Sequence, residues 1–251
     1  MIVDTEAVVL RTLNHGDTSK IVTLYSRDTG RLKLIAKGVR SPRSKVMGLF
    51  QPTHHVSISY YEKTHSDLQL FKNGELVKGF YRLEGDFDRL TLAQVVVEFV
   101  ERAAEREEAH PAVFDLLVET LGRLNDPAIP THKATWFFHL QFLKEMGFRP
   151  DTDRCGLCEG ALELGAWLEP RRDGLTCGRC QPPAPGSLEL DPAMLKVMTD
   201  LQDHSWSEVS TPRLTASQRR RFWDVLWRYT HYHIEPTRNM RSLGVLNQLY
   251  G

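Results

Sequence analysis

No stretch of the chain approaches the 18 consecutive apolar residues of a membrane-spanning helix, so no span is expected. The opening residues, Met1 to Leu10, lack a basic region and carry two acids, Asp4 and Glu6, which argues against a secretory signal peptide. A net charge is missing as well, with 32 Lys/Arg balancing 32 Asp/Glu. The sequence has no phosphate-loop motif, no Gly-x-Ser-x-Gly elbow, no paired-carboxylate signature, no internal repeat and no low-complexity region. Nothing in it asks for catalysis, so the chain is expected not to be an enzyme. With 41% hydrophobic and 25% charged residues, it has the composition of a soluble globular protein, and the cytoplasm is the expected location. Its 251 residues leave room for two or three small domains with real cores.

Cysteine is scarce, and its placement is informative. The four cysteines fall in two pairs, Cys155 with Cys158 and Cys177 with Cys180, separated by eighteen residues. This C-x2-C…C-x2-C spacing matches a four-thiolate zinc site, whose spacer runs about 15–20 residues. Between the pairs, Gly165 to Pro170 and Gly174 to Cys177 read as two short strands. The Arg171-Arg172-Asp173-Gly174 turn joins them, so a hairpin would return the second pair to the first. Gly156, Gly160 and Gly178 suit tight knuckles. The competing readings are two C-x2-C disulfides or a redox pair, although no βαβ pattern surrounds either motif. Four thiolates would leave no position for substrate, so the expected cofactor is one structural Zn2+.

The first 80 residues alternate like short strands: Ala7–Leu10, Ile21–Tyr25, Leu32–Ala36, Val56–Tyr61 and Asp67–Phe71. Turn signals at Asn14–Asp17, Arg27–Gly30 and Lys72–Gly74 separate them. Five short strands predict a small barrel, either OB-fold or SH3-like. Beyond residue 88 the period is helical. Thr91 to Gln94 reads as a capping box, Pro111 as the first residue of a second helix, and Thr135–Met146 as a third helix closed by Gly147. After a linker at 181–187, Asp191-Pro192 and Thr215 to Gln218 open further helices, and a short one ends the chain. The fold class is therefore α+β. A five-stranded OB-fold occupies 1–80, and a helical domain occupies 81–251 with the zinc knuckle inserted at 152–182.

Charge is unevenly spread. Residues 1–80 hold 12 Lys/Arg against 7 Asp/Glu, while residues 81–150 hold 8 against 12. Such polarity can steer a polyanion to one end. The candidate nucleic-acid contacts are Arg31, Lys33, Lys37, Arg40, Arg43 and Lys45, extended by Arg11 and Lys20. Alternation places Arg31 and Lys33 on one strand face and Leu32 and Leu34 in the core. Four cations and no acid between Lys37 and Lys45 is a phosphate-binding composition. The bland reading is a solvated basic loop. Tyr25, Tyr60, Tyr61 and Phe71 could stack on bases, but strand alternation assigns about half of them to the core. His54-His55 and His231/His233 lack zincin spacing, and Glu105–Glu108 and Arg219–Arg221 read as solvated helix faces.

The order of these parts resembles the RecO family of bacterial recombination mediators. The resemblance is carried by Glu6–Arg11, Gly16–Ser26, Gly30–Arg40, Leu49–Pro52, Trp136–Leu140, Gly147–Asp151, Cys155–Cys158 and Arg238–Leu243. Lys63–Leu68 departs from the typical pattern. The resemblance implies an OB-fold that binds single- and double-stranded DNA, a helical domain and a zinc knuckle. It further implies annealing of complementary strands and loading of recombinase onto DNA coated by single-strand-binding protein, with RecR and that binding protein as partners, at the nucleoid. Two other readings are a zinc-stabilised scaffold that binds only proteins and a hydrolase with a metal site outside the cysteines.

Overall fold

The computed structural model describes residues 1–64, 66–104, 108–169, 174–180, 185–210 and 212–250, the last five by backbone only. The expected turn at Arg171–Asp173, most of the acidic run at Glu105–Glu108 and the start of the 181–187 linker lie outside the described residues. Compactness divides the chain into two units, residues 1–131 with 240–249 and residues 132–239.

In the first unit, β1 (Ile2–His15), β2 (Ser19–Ser26), β3 (Gly30–Ala36), β4 (His55–Tyr61) and β5 (Gln69–Lys78) close into an OB-like barrel of order β1-β2-β3-β5-β4. All pairings are antiparallel except β3–β5. The interior is aliphatic, with Ala7, Val9, Val22, Leu24, Leu34 and Ile58 at its centre. Each fully buried Val, Leu or Ile contributes about 1.5–3 kcal/mol. Along β3 the expected alternation holds: Leu32, Leu34 and Ala36 are buried while Arg31, Lys33 and Ile35 are half-buried. On β1 and β2 it breaks down, because Ala7–Leu10 and Val22–Ser26 are buried without interruption. The cause is α1 (Phe87–Ala103) and α2 (Pro111–Leu124), which pack on the outer face of these strands. The sequence boundary at residue 80 therefore falls inside the first compact unit.

Two details differ from the sequence expectations. Lys72-Asn73-Gly74 is no turn but lies inside β5, where the register against β4 shifts between Ser59 and Tyr60. A Cβ on Gly74 would come within 2.7 Å of the Ser57 carbonyl oxygen, so glycine here permits close backbone approach at a bulge. Likewise α1 does not start at Thr91, which is buried within it. Its N-cap is Asp86, whose carboxylate accepts the Arg89 N–H at 3.1 Å and pairs with the Arg89 guanidinium. The true cap lies one turn earlier, where Asp86 also satisfies a charge.

The second unit holds most of α3 (Thr131–Glu145), a three-stranded sheet of β6 (Ala166–Leu168), β7 (Leu175–Thr176) and β8 (Leu188–Leu190), then α4 (Pro192–Asp203) and α5 (Ala216–His233). After α3, Gly147 takes φ +80, and the Phe148 N–H reaches back to the Leu143 carbonyl at 2.7 Å. Asp191 caps α4 and Thr215 with Gln218 forms a capping box on α5, as expected. Trp136, Phe222 and Trp227 pack edge-on in the core, and His139 sits fully buried among them. Burial holds the His139 imidazole down to about 3, so it stays neutral and hydrogen-bonds the Thr230 hydroxyl.

The last helix, α6 (Arg241–Tyr250), returns to the first unit. The Glu98 carboxylate on α1 accepts the N–H groups of Arg241 and Ser242 at 2.9 and 2.8 Å, capping α6 from outside. Burial alone would raise this carboxyl, but those bonds and Arg102 outweigh it and hold it below its ordinary value. Its stabilising effect is complete above the unfolded value and is lost as pH falls through the folded one. Glu98→Ala is expected to cost about 1–3 kcal/mol, because two amides lose a charged acceptor. Hydrogen exchange at Arg241 and Ser242 should speed up in the variant, and in the wild-type protein on acidification. Unchanged protection would mean that α6 is held by other contacts.

Candidate metal centre and nucleic-acid interface

The four cysteine sulfurs lie within 4.8 Å of one another. Cys155–Cys180 and Cys158–Cys177 are each 3.8 Å apart, and Cys177–Cys180 is 3.3 Å. A disulfide requires about 2.05 Å, so all four are free thiols. Sulfurs at about 2.3 Å from a tetrahedral ion stand about 3.8 Å from each other, which is close to the spacing found. The 3.8 Å contacts run between the pairs and not within them.

The hairpin brings the pairs together. Trp167 and Leu168 on β6 face Thr176 and Leu175 on β7, and β8, which the sequence did not reveal, adds to the other edge of β6. Gly156 N–H bonds the Leu175 carbonyl at 2.9 Å, fixing the first knuckle to β7. The N–H groups of Leu157 and Cys177 point at Cys155 Sγ, at 3.4 and 3.2 Å. Such donors favour a thiolate and help draw Cys155 below its ordinary value against the effect of burial. Cys177 is pulled down to about 6, chiefly by its hydrogen bond with Cys180 and then by the Arg179 amide. Cys180 is driven up in return by bonds with Cys158 and Cys177. Four thiols this close cannot all shed their protons unless a cation offsets the repulsion, and the donor set fits a divalent metal.

Six of the eight candidate cations fall into two groups, and Lys20 and Lys33 stand apart from both. Arg31 and Arg11 belong to the helix anchorage: an Arg31 amino group bonds the Glu101 carbonyl, and Arg11 Nε meets the Glu101 carboxylate at 3.0 Å. Arg27 adds a bidentate pair with Asp115 on α2 at 2.5 and 3.0 Å. Lys20 reaches the Phe50 carbonyl at 3.4 Å, and Lys33 lines a cavity of about 260 Å³ with Arg31, Tyr60 and Asp67. Arg40 braces the loop after β3, its amide bonding the Thr18 carbonyl at 2.8 Å and its guanidinium the Gly16 carbonyl at 3.2 Å. Lys37, Arg43 and Lys45 on that loop are exposed and make no ion pair among the described residues. The structure thus gathers Lys37, Arg40, Arg43 and Lys45 on one loop beside the β1–β2 turn. It commits Arg11 and Arg31 to the fold. Glu101, their shared acceptor, could not be found from the sequence, since it lies 70 residues beyond Arg31.

Tyr25 and Tyr60 are buried, and burial pushes the Tyr25 phenol up to about 12. Tyr61 is 41% exposed and remains available for stacking, while Phe71 packs on Phe50. His54 and His55 are buried, hydrogen-bonded to the Leu49 carbonyl and to Glu6. Among the described residues, the cysteines are the one cluster of three or more potential metal ligands.

Comparison with known proteins agrees with this architecture. The family model described as Recombination protein O N terminal matches residues 1–80, and that described as Recombination protein O C terminal matches residues 84–242. The chain belongs to the RecO family. A curated relative from Pelodictyon phaeoclathratiforme, named DNA repair protein RecO, is 28% identical with 99% of each chain covered. Proteins of the same name from Anaeromyxobacter dehalogenans and Salinibacter ruber are 29% and 35% identical, covering 90% and 61% of this chain and 89% and 59% of their own. The N-terminal family match ends at residue 80, where the barrel's last strand has just closed.

The division among the cations can be tested by stability. Arg31→Ala is expected to lower unfolding free energy by about 1–2 kcal/mol, through loss of a charge-assisted bond to a helix carbonyl. Lys37→Ala, Arg43→Ala and Lys45→Ala should each stay within about 0.5 kcal/mol of wild type. Urea unfolding curves measure both, and equal effects would remove the distinction.

Proposed function

We propose that the protein is a DNA repair and recombination mediator. It binds single- and double-stranded DNA, anneals complementary strands and, with RecR, helps load recombinase onto DNA coated by single-strand-binding protein, at the nucleoid. In this reading it is no enzyme, because holding strands together makes and breaks no covalent bond. The observation that carries the proposal is the loop braced by Arg40, on which Lys37, Arg43 and Lys45 are exposed and make no ion pair among the described residues, at the rim of an OB-like barrel. Family membership and the name of the curated relatives support it.

Two complementary strands repel each other. A cationic loop that takes hold of backbones without reading sequence lowers that repulsion and leaves base edges free to pair. Replacing Lys37, Arg43 and Lys45 together with Ala is expected to weaken DNA binding regardless of sequence. Loss of three phosphate contacts should flatten the log-log salt slope for single strands by about 2. Arg40 is left in place because it braces the loop. In a fluorescence assay with paired oligonucleotides, wild-type protein should accelerate annealing without nucleotide or magnesium, and the rate should fall steeply with salt. An unchanged salt slope in the triple variant would move the site elsewhere, and annealing no faster than the protein-free control would remove the mechanism.

We further propose that Cys155, Cys158, Cys177 and Cys180 hold one zinc ion. Zinc supplies folding free energy to a short sheet with little core of its own, about 10–16 kcal/mol of apparent binding energy in small zinc modules. Elemental analysis of reduced protein should give one zinc per chain. Cys158→Ser should lose the metal and expose the knuckle to protease. Metal-free protein with an intact, protease-resistant knuckle would overturn this assignment.

A further inference from the structure

We propose that the barrel carries a docking groove for an extended, basic and apolar peptide of a partner protein, which adds as a strand to the free edge of β5. This goes beyond the nucleic-acid reading, since the ligand is polypeptide and the recognition is by backbone.

Barrel closure between β3 and β5 rests on two residue pairs, Leu34 with Gln69 and Ile35 with Leu70. From Phe71 to Lys78, β5 pairs with β4 on one side only. Among the described residues, no loop backbone bonds its other edge. Alternate N–H and C=O groups of this stretch are therefore open, which is the template that strand addition uses. Beside the edge runs a groove of about 580 Å³, with Val46 and Leu49 on one wall, Leu76 and Tyr81 on the other, and Gly74 on its floor. Leu76 on β5 is 37% exposed, and Tyr81 just beyond the strand is 60% exposed with one edge of its ring against His54, so apolar surface lies beside the strand's open edge.

Charge selects the peptide. Glu75 and Glu84 line the groove opposite a single cation, Lys45, and neither carboxylate makes an ion pair among the described residues, so acid outweighs base in the lining. Two unpaired carboxylates favour Lys or Arg at alternate positions of the ligand and disfavour an acidic one. Lys72 and Lys78 are exposed on the same strand and discourage pairing with arbitrary strands.

The full chain can be titrated with a synthetic peptide alternating lysine and valine, with binding followed by fluorescence anisotropy and amide hydrogen exchange. Saturable binding is expected, together with slower exchange at alternate amides of residues 71–78. N-methylation of the peptide's alternate amides should weaken binding at least about tenfold, because strand pairing is lost while charge and side chains are kept. Glu75→Gln with Glu84→Gln should weaken it about three- to tenfold, the scale of two exposed ion pairs. A glutamate–valine peptide should bind more weakly than the lysine–valine one. No saturation by about 1 mM, or binding indifferent to N-methylation, would overturn the proposal. Preference for the glutamate peptide would overturn the charge assignment and give the groove to an acidic tail. A lysine peptide lost by Lys37→Ala/Arg43→Ala and not by the glutamate variants would place binding on the basic loop and sink the groove. Since DNA binding is read with oligonucleotides on that loop, either proposal can fail while the other stands.

Discussion

The outer face of β1 and β2 cannot face water, and most of the first unit follows from that. Val8, Leu10 and Tyr25 alternate with the barrel's interior residues yet are fully or nearly fully buried. Covering them requires helices to be bound onto a sheet that is also closed on itself. The cations nearest that cover are spent on it: Arg11 and Arg31 on Glu101, and Arg27 on Asp115. An OB-fold that binds nucleic acid commonly uses the face of strands 2 and 3 with its flanking loops. Here the Gly30 end of that face is occupied by α1 and the segment behind it, where a Cβ on Gly30 would lie within 2.3 Å of the Glu108 carbonyl oxygen. The proposed grip on DNA is thereby displaced to the long loop after β3, where cations keep their charge exposed.

How much of this was legible depended on the range of the interaction. Signals local in sequence read well. The Cys pairs, the Asp191-Pro192 and Thr215–Gln218 helix starts, and the Gly147 stop are each decided within a few residues, and each appears as expected. The failures arose where a partner far along the chain overrode a local preference. Asn73-Gly74 is a strong turn signal, yet both residues pair with β4, and the Ser57 carbonyl lies where a Gly74 Cβ would stand. Thr91 to Gln94 has the form of a capping box, yet Asp86 starts the helix earlier. Arg31 looked like a DNA contact because its acceptor, the Glu101 carbonyl, is a backbone group that no composition reveals. The pairing of the two strands between the cysteine pairs was foreseen, but β8 was not, since three residues after a proline-rich stretch carry little periodic signal.

The metal centre and the basic loop solve opposite electrostatic problems. In the knuckle, four sulfurs converge so closely that their ionisation is mutually opposed, an arrangement compatible with a metal cation at their centre. On the loop, cations stand apart, exposed to water, at a site whose natural complement is a polyanion from outside. A closed thiolate site offers no open coordination position. The proposed zinc therefore belongs to folding, and the proposed annealing belongs to surface charge.

The loop between β3 and β4 links the two proposals made for the barrel. Because β3 and β5 share only two residue pairs, the barrel wall is completed by this loop, with Phe50 buried against Phe71. One side of the loop lies against the β1–β2 turn through Arg40, which sets Lys37 and Arg43 at the rim. Its other side, from Lys45 to Gln51, forms a wall of the groove along β5. A partner strand seated on β5 would thus rest against the same segment whose cations are proposed to hold DNA. Such a partner would approach Lys45 with its own basic residues. Lys45 repels a basic peptide and attracts a phosphate, so the peptide's cations would turn to Glu75 and Glu84 while DNA stays with the loop. A weakly closed seam in the sheet, flanked by one long basic loop whose backbone leaves the β5 edge unbonded among the described residues, is the feature of the fold that makes both sites possible.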